Sequence, residues 1–379
     1  MEWNEVLSNL LAAFLSLSWY NLVMLALAGF LLYLAVAKEV EPLLLVPIAF
    51  GALLVNLPLT GLMGEHGLLR YFYEAGVLTE IFPCLIFVGV GAMIDFTPLL
   101  QNPRVLLLGG AGQFGIFLTL LLALLLGFER LEAVAIGIIG ACDGPTAIYV
   151  TSKYAPHLLG PVAVAAYSYM SLVPIIQPPL MRLLTTREER CRVMPAMVYG
   201  RPVPRTVRVL FPVVVTVVTL LIAPMGAPLM GMLMLGNFLK ECGVVERLSR
   251  AAQNELINAV TLLLGVCVGA TMDGRVFLRL ETLGIFALGL LALVGDTVAG
   301  VLLAKLMNLF SREKINPLIG AAGISAFPMA ARVVHRLAAA ENPQTYLLMH
   351  AIGANTGGQI GSVLAASVML ALLRALGLA

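Results

Sequence analysis

The chain has 379 residues, of which 60% are hydrophobic and 12% are charged, and its formal net charge is +2. Because an average soluble domain carries about 25% charged residues, this composition excludes a soluble globular protein and predicts a multi-pass protein of the cell membrane. The small net charge gives a nucleic acid little to bind, so we expect no nucleic-acid partner.

Apolar segments with the length of membrane helices recur along the whole chain. Before the first of them, residues 3–17 place apolar side chains at helical spacing, which predicts an amphipathic helix over 1–17 that lies in the membrane interface. Some segments are short or interrupted, so we expect an all-α protein with roughly 10–12 crossings. The segments span 18–36, 41–56, 80–99, 104–127, 133–152, 159–184, 207–225, 226–241, 256–273, 279–308, 316–335 and 344–375.

One long basic loop, residues 182–208, divides the chain near its middle. It holds seven arginines and two glutamates, so the positive-inside rule places it in the cytoplasm. The sequence therefore predicts a first transmembrane half over 18–184, a basic cytoplasmic loop over 185–206 and a second transmembrane half over 207–379.

The two halves contain similar segments in the same order, which indicates an internal repeat of the kind that builds many transporters. Six elements in each half formally give parallel repeats, whereas a re-entrant or interfacial element would allow inverted ones, and the sequence leaves both open. The matched segments are EPLLLVPIAFGALLVN (41–56) with APLMGMLMLGNFLKEC (227–242), VGVGAMIDF (88–96) with VCVGATMDG (266–274), and IGACDGPTA (139–147) with IGAAGISAFPMAA (319–331).

The sequence GACDGPTAIY (140–149) interrupts one apolar run. Pro145 has no N–H group, so the carbonyl of Ala141 loses its helical partner, and Gly144 lets the backbone leave the helix. In lipid such a break must face protein or a water-filled cavity. The carboxylate of Asp143 and the freed carbonyls form a ligand set for a small hard cation, Na⁺ or H⁺. A structural kink that holds a neutral aspartic acid is the alternative.

Two further stretches stand out in the second half, a second helix break and a polar, glycine-rich stretch inside the last apolar segment. In GISAFPMAAR (323–332), Pro328 frees a carbonyl beside the hydroxyl of Ser325. In GANTGGQIGS (353–362), the glycines favour close helix packing, whereas Asn355 offers an amide oxygen that would complete a cation site. Packing alone is the alternative interpretation of both stretches.

Four other residues stand out less clearly. Tyr169 lies in a proline-containing apolar run, where an aromatic ring favours a packing role. Asp95 and Asp273 occupy the same repeat position at the ends of their segments, which predicts capping or interfacial roles. Asp296 lies inside an apolar run without an evident partner, and the sequence assigns it no role.

At these residues the sequence resembles the integral-membrane β subunits of biotin-dependent, sodium-translocating decarboxylases, which act on oxaloacetate, methylmalonyl-CoA or glutaconyl-CoA. The resemblance runs from about residue 20 to the end of the chain. It rests on six motifs in order: GAMIDFTPLLQNP, DGPTAIY, YSYMSLVPIIQPP, GMLMLGNFLKECGVVERL, NPLIGAAGISAFPMAARVV and HAIGANTGGQIGSVLAA.

The resemblance implies that a separate biotin carrier protein brings carboxybiotin to the cytoplasmic side. The chain would decarboxylate it with consumption of a proton and use the free energy to export Na⁺. The implied partners are the biotin carrier protein, a carboxyltransferase (α) subunit and a small single-span γ-type subunit. The implied architecture is a two-repeat, elevator-type transporter that assembles as a homotrimer.

The resemblance also implies roles for individual residues. Asp143 matches the essential acidic residue of the family, and Tyr169 matches its essential tyrosine, which raises that residue above its packing interpretation. Arg332 would hold a carboxylate or replace the charge of the cation. The implied catalytic residues are Asp143, Tyr169, Ser325 and Arg332, and the implied Na⁺ ligands are Asp143, Asn316, Gly320, Ser325 and Asn355.

One rival class remains open. A secondary cation/proton antiporter or a Na⁺-coupled organic-anion transporter would share the repeats and the broken helices but would catalyse no decarboxylation. Which carboxylic acid feeds the complex is a property of the carboxyltransferase subunit.

Overall fold

In the computed structural model, every regular element of the described residues (11–12, 14–39, 41–194, 203–375 and 377) is helical. The predicted all-α class is therefore confirmed. The interfacial helix predicted over 1–17 lies largely outside the described residues, as does the central part of the basic loop, 195–202. The division of the chain into two halves stays a prediction.

The described helices are numbered in chain order. They are α1 (Trp19–Ala37), α2 (Pro42–Val55), α3 (Leu68–Phe72), α4 (Ile81–Met93), α5 (Thr97–Gln101), α6 (Val105–Ala111), α7 (Phe114–Leu125), α8 (Arg130–Gly137), α9 (Gly144–Tyr154), α10 (Leu159–Leu184), α11 (Arg187–Arg190), α12 (Arg205–Ile222), α13 (Ala227–Cys242), α14 (Glu246–Ala251), α15 (Ile257–Ala270), α16 (Gly274–Phe277), α17 (Leu280–Phe310), α18 (Met329–Glu341) and α19 (Leu348–Ala375). Short 3₁₀ segments cover Ile138–Ala141, Pro156–Leu158, Pro224–Gly226 and Pro317–Gly323, and π-helical turns cover Tyr73–Leu78 and Ala252–Leu256.

Six helical segments of the described chain are long and apolar enough to cross a membrane, or up to eight if each of two bent helix pairs is one span. This count is lower than the roughly 10–12 crossings expected from apolar run length. The difference arises because α2 and α13 are short and because two predicted segments fold back on themselves. The six segments are Trp19–Ala37, Val105–Leu125, Arg205–Ile222, Glu246–Ala270, Leu280–Phe310 and Leu348–Ala375.

Residues 130–154 form the first folded-back segment, which is called the first hairpin. Its limbs are α8 with the following 3₁₀ turn and α9, and they meet at residues 142–143. At the open end, His157 Nε2 lies 2.8 Å from a carboxylate oxygen of Glu132. Since a straight helix would separate these residues by about 37 Å, the chain enters and returns at the same end of the protein.

The second hairpin, residues 317–341, has the same form. Its first limb is the 3₁₀ segment, its second limb is α18, and residues 324–328 join them. Before the first limb, the Asn316 amide donates to the carbonyl of Arg192 at 3.0 Å. After the second limb, the Asn342 amide donates to the carbonyl of Cys191 at 3.3 Å. Both ends of this hairpin therefore lie against the beginning of the basic loop.

The two hairpins open toward opposite ends of the molecule. The 26-residue helix α10 starts directly after the open end of the first hairpin and finishes shortly before the residues that hold the open end of the second. The closed ends of the two hairpins meet between the open ends, where the Ser325 N–H donates to the Ala141 carbonyl at 3.3 Å. This meeting point is called the hairpin crossing. Each predicted helix break is thus the closed end of a hairpin.

Two helix pairs pack backbone to backbone, and each joins a helix before the basic loop to one after it. In the α2–α15 pair, a β-carbon on Gly51 or Gly269 would overlap a carbonyl oxygen of the facing helix. In the α4–α13 pair, Gly91 and Gly236 meet the facing backbone in the same way. Glycine is needed at these four positions because the helices approach too closely for any side chain.

A buried asparagine adds a side-chain bond to each pair. Asn56 donates to the carbonyl of Met272 at 2.8 Å, and Asn237 donates to the carbonyl of Ile94 at 3.1 Å. Both carbonyls belong to the turn that follows the facing helix, so each amide satisfies a carbonyl that the helix end leaves free.

The aspartates beside these turns act as caps, as predicted. Asp95 accepts the N–H of Thr97 at 2.8 Å, and Asp273 accepts the N–H of Arg275 at 2.8 Å. Neither carboxylate faces the hairpin crossing, so both belong to the framework.

Replacing Gly236 by alanine should destabilise the protein by about 1–3 kcal/mol, because the added methyl group forces tightly packed backbones apart. Gly231→Ala is the matched control, since it lies in the same helix with no neighbouring atom within 4 Å of the added carbon. The control should be neutral or gain up to about 1 kcal/mol from helix propensity. Thermal unfolding of the detergent-solubilised protein measures both, and equal midpoints would contradict the packing account.

Candidate functional site

The closed end of the first hairpin presents Asp143 at the start of a helix. Cys142 adopts a left-handed conformation with φ 51°, which ends the 3₁₀ turn. Asp143 is extended and caps α9, and Pro145 follows where a helix has no use for an N–H group. The GACDGPT sequence thus folds locally so that a carboxylate lies at the positive end of a helix.

The Asp143 carboxylate is 4% exposed and is surrounded by neutral donors. It accepts the hydroxyl of Thr146 at 2.7 Å from its own helix. From α19 it accepts the amide of Gln359 at 3.0 Å and the hydroxyl of Ser362 at 3.2 Å. None of the ion pairs formed by the described residues includes Asp143. A buried carboxylate without a protein cation nearby is suited to bind a small cation.

The carbonyls that the two prolines free are paired across the crossing. Ala141, four residues before Pro145, accepts the N–H of Ser325 at 3.3 Å. Ile324, four residues before Pro328, accepts the amide of Asn355 at 2.6 Å. The expectation that each break faces protein is confirmed.

Ser325 and Gln113 extend this network. The Ser325 hydroxyl donates to the carbonyl of Gly358 at 2.8 Å. Gln113, at the junction of α6 and α7, donates to the carbonyls of Gly323 and Gly358, each at 3.2 Å. One amide therefore ties three elements together beside the hairpin ends.

Two amide oxygens in this region lack donors. Asn355 Oδ1 and Gln113 Oε1 are buried and have no hydrogen-bond partner among the described residues. Their residues are 0% and 3% exposed. An orphaned buried oxygen normally costs about 1–3 kcal/mol, and a bound cation would give such an oxygen a partner. These two oxygens and the Asp143 carboxylate are therefore the candidate hard ligands of this region.

Two predicted Na⁺ ligands lie at the first limb of the second hairpin, Asn316 directly before it and Gly320 within it. The Asn316 oxygen accepts the N–H of Leu318 at 3.1 Å, and its amide holds the basic loop. Gly320 lies against the backbone of Gly300 in α17, too close for a β-carbon. The structure brings neither residue into contact with Asp143 and gives both a part in holding the limb.

Tyr169 and Arg332 also lie away from Asp143. The Tyr169 hydroxyl donates to the carbonyl of Phe286, and its ring borders an apolar cavity of about 740 Å³ between α1, α10 and α17. Arg332 is exposed, and its side chain makes no hydrogen bond or ion pair with the described residues. The aromatic ring that packs against the motif is that of Tyr167, which lies on Gly144.

Sequence reasoning missed Gln113, Tyr167, Gln359 and Ser362 as members of this region. Gln359 and Ser362 were visible as polar residues at membrane depth, one helical turn apart. Gln113 carries a similar signal, since it is the one amide in the glycine-rich run GGAGQFG. Nothing in the sequence separates Tyr167 from Tyr169.

Asp296 acquires a structural position. It is fully buried in α17, and its carboxylate accepts the N–H of Gly115 in the first turn of α7. The second oxygen has no hydrogen-bond partner among the described residues. Asp296 therefore caps a neighbouring helix, a role that could not be assigned from the sequence.

Comparisons with known proteins show the family of this chain. The model of the family "Na⁺-transporting oxaloacetate decarboxylase beta subunit" matches residues 20–373. The chain is 52% identical to the methylmalonyl-CoA decarboxylase subunit beta of Propionigenium modestum, over 95% of this chain and 96% of the relative. It is 52% identical to the glutaconyl-CoA decarboxylase subunit beta of Acidaminococcus fermentans, over 96% of each chain.

The oxaloacetate decarboxylase beta chain of Klebsiella pneumoniae is 48% identical, over 92% of this chain and 94% of the relative. The resemblance seen in the six motifs is confirmed over nearly the whole length. The chain belongs to the family of Na⁺-transporting decarboxylase β subunits, integral membrane proteins with several membrane-spanning helices.

Proposed function

We propose that this protein decarboxylates carboxybiotin on a biotin carrier protein, with consumption of a proton, and couples the reaction to Na⁺ export across the cell membrane. Its family supports Na⁺ transport coupled to decarboxylation. The observation that carries the proposal is the position of Asp143, a buried carboxylate at the meeting point of two hairpins that open toward opposite ends. A cation held there is within reach of either side once one hairpin moves.

We infer that the repeats are inverted. Two observations support this: the hairpins open in opposite directions, and the α2–α15 and α4–α13 pairs use the same glycine contacts. In inverted-repeat transporters the binding site lies at the repeat interface and access alternates by movement of one unit against the other. An elevator-type motion of the hairpin region follows from this reasoning.

The residues proposed to serve Na⁺ binding fall into two groups, ligands at the hairpin crossing and residues that hold the limb. Asp143, Ser325 and Asn355 supply a charge and two neutral oxygens at the crossing, and Gln113 adds a third neutral oxygen. Asn316 and Gly320 act from the limb, by holding it against the basic loop and α17. A single negative charge among neutral oxygens matches a monovalent cation.

The chemical step breaks the N–C bond of carboxybiotin. The bonding electrons go to the biotin nitrogen, which takes up a proton, and CO₂ leaves. Arg332 is exposed and has no ion-pair partner among the described residues, so its guanidinium is available to replace the charge of the departing cation, and Ser325 would lie beside the ion. Tyr169 donates to Phe286 here, so its proposed part in proton transfer requires that bond to break.

The proposed partners follow from the family. They are the biotin carrier protein, the carboxyltransferase (α) subunit and a small single-span γ-type subunit, with three copies of this chain in the assembly. The basic loop, which holds the open end of the second hairpin, would face the soluble partners.

Exchanging Asp143 for asparagine should abolish Na⁺-dependent decarboxylation and Na⁺ uptake together. The amide keeps the acceptor for Thr146 and therefore the cap of α9, but it removes the charge. The reconstituted complex in proteoliposomes measures both activities. Asp95→Asn, which alters a capping carboxylate in the framework, should retain them, and a D143N variant that retains either activity would refute the assignment.

Exchanging Asn355 for alanine should raise the Na⁺ concentration at half-maximal decarboxylation by about 10- to 100-fold, since an oxygen ligand is lost from a buried site. Asn342→Ala is the matched control, because that amide bonds the basic loop at the open end of the hairpin. The Na⁺ titration should separate the two variants. An unchanged half-saturation in N355A would remove this residue from the ligand set.

The rival, a secondary transporter, is tested by Na⁺ uptake into proteoliposomes. Under the proposal, uptake requires the carboxylated biotin carrier and stops when avidin is added. Uptake that proceeds without biotin would favour the rival.

A further inference from the structure

A cavity of about 570 Å³ lies among α6, the end of α17 and the start of α19. Met194 and Ile315 line it, and the carbonyl of Ile315 accepts the side chain of Arg192 at 3.0 Å. The cavity therefore lies at the end of the protein where the second hairpin opens. The positive-inside rule makes this the cytoplasmic end. Pockets for small molecules have volumes of about 300–1,000 Å³.

Two positively charged side chains of this cavity are available to bind a ligand. Arg104 and Lys314 line it, and neither side chain has a hydrogen-bond or ion-pair partner among the residues that the structure describes. Glu313 is the acidic side chain of the described lining, and the buried His350 is its histidine. Two cations beside one carboxylate favour an anionic ligand that also has a hydrogen-bond donor.

The cavity adjoins a second pocket of about 670 Å³, the outer chamber, with which it shares part of its lining. Arg104, Met307, Ser311 and Glu313 line both spaces. The outer chamber adds Arg312 at the surface. A ligand on a flexible arm can therefore reach the inner cavity from the cytoplasmic end.

The inner wall of the cavity contacts the hairpin crossing. Leu108 lines the cavity, and its backbone oxygen lies against Gly323 too closely for a β-carbon. The next residue, Gly109, packs equally closely on Gly357 and Gly358. One layer of backbone thus separates the cavity from the Gln113–Ser325–Gly358 network.

We propose that this cavity binds the carboxylated ureido ring of carboxybiotin, with Arg104 and Lys314 recognising its carboxylate. The proposal rests on the proposed function and extends it to a binding site. Glu313 accepts the remaining ureido N–H, and Leu108, Met307 and Ile315 cover the apolar bicyclic ring. The substrate then lies against the backbone that joins the cavity to the Na⁺ site.

The test measures binding and turnover separately. Binding of ¹⁴C-carboxylated biotin is measured on the purified Asp143→Asn chain, because under the proposed function this variant does not decarboxylate the ligand. Adding Arg104→Ala or Lys314→Ala should weaken binding about tenfold or more, because each removes a charge-assisted bond. In the otherwise unaltered complex, the same changes should raise KM for the carboxylated carrier about tenfold and leave the half-saturating Na⁺ concentration unchanged.

Arg275→Ala is the matched control, since this exposed arginine lies in α16, away from the cavity. Arg104→Lys should restore part of the affinity by keeping the charge without the planar fork. Unchanged binding and KM in the Arg104→Ala, Lys314→Ala double variant would overturn the site while the proposed function stands. If the double variant loses binding, the carboxybiotin site stands. If the unaltered complex at the same time shows no turnover of the carboxylated carrier, the proposed function is refuted.

Discussion

Two hydrogen bonds at the closed ends of the hairpins hold the centre of this protein together. Pro145 and Pro328 each free a carbonyl at a depth where lipid offers no donor. The Ser325 N–H satisfies the first carbonyl, and the Asn355 amide satisfies the second. The first break is therefore stable only with the second hairpin in place, and the second break only with α19 in place, so these three elements must fold as one unit.

This arrangement determines what remains for an ion. Asn355 donates its amide to the carbonyl of Ile324 in the second hairpin, and its oxygen is buried without a donor among the described residues. The Asp143 carboxylate accepts hydrogen bonds from neutral donors, which orient it but do not cancel its charge. The proposed site thus combines a buried negative charge with the closed ends of both hairpins. A movement of either hairpin would change that site, which gives a physical route from ion binding to conformational change.

Several members of the site could be predicted because each breaks a local rule. Asp143, Ser325 and Asn355 are polar groups beside proline or glycine within apolar runs, and such residues are expected to be functional. The hairpins could not be predicted, because a folded-back segment and a crossing have the same apolar length. What distinguishes them is the contact between distant ends, such as His157 with Glu132. Gln113 was missed because its partners lie more than 200 residues away in the sequence.

The central claim is that the oxygens of Asp143 and Asn355 hold Na⁺ at the hairpin crossing. The most direct measurement compares electron-density maps of the purified complex in sodium chloride and in N-methylglucamine chloride. The account predicts a density peak within coordination distance of both side-chain oxygens that is present only with Na⁺. Maps that show no peak there, or the same peak in both salts, would contradict it.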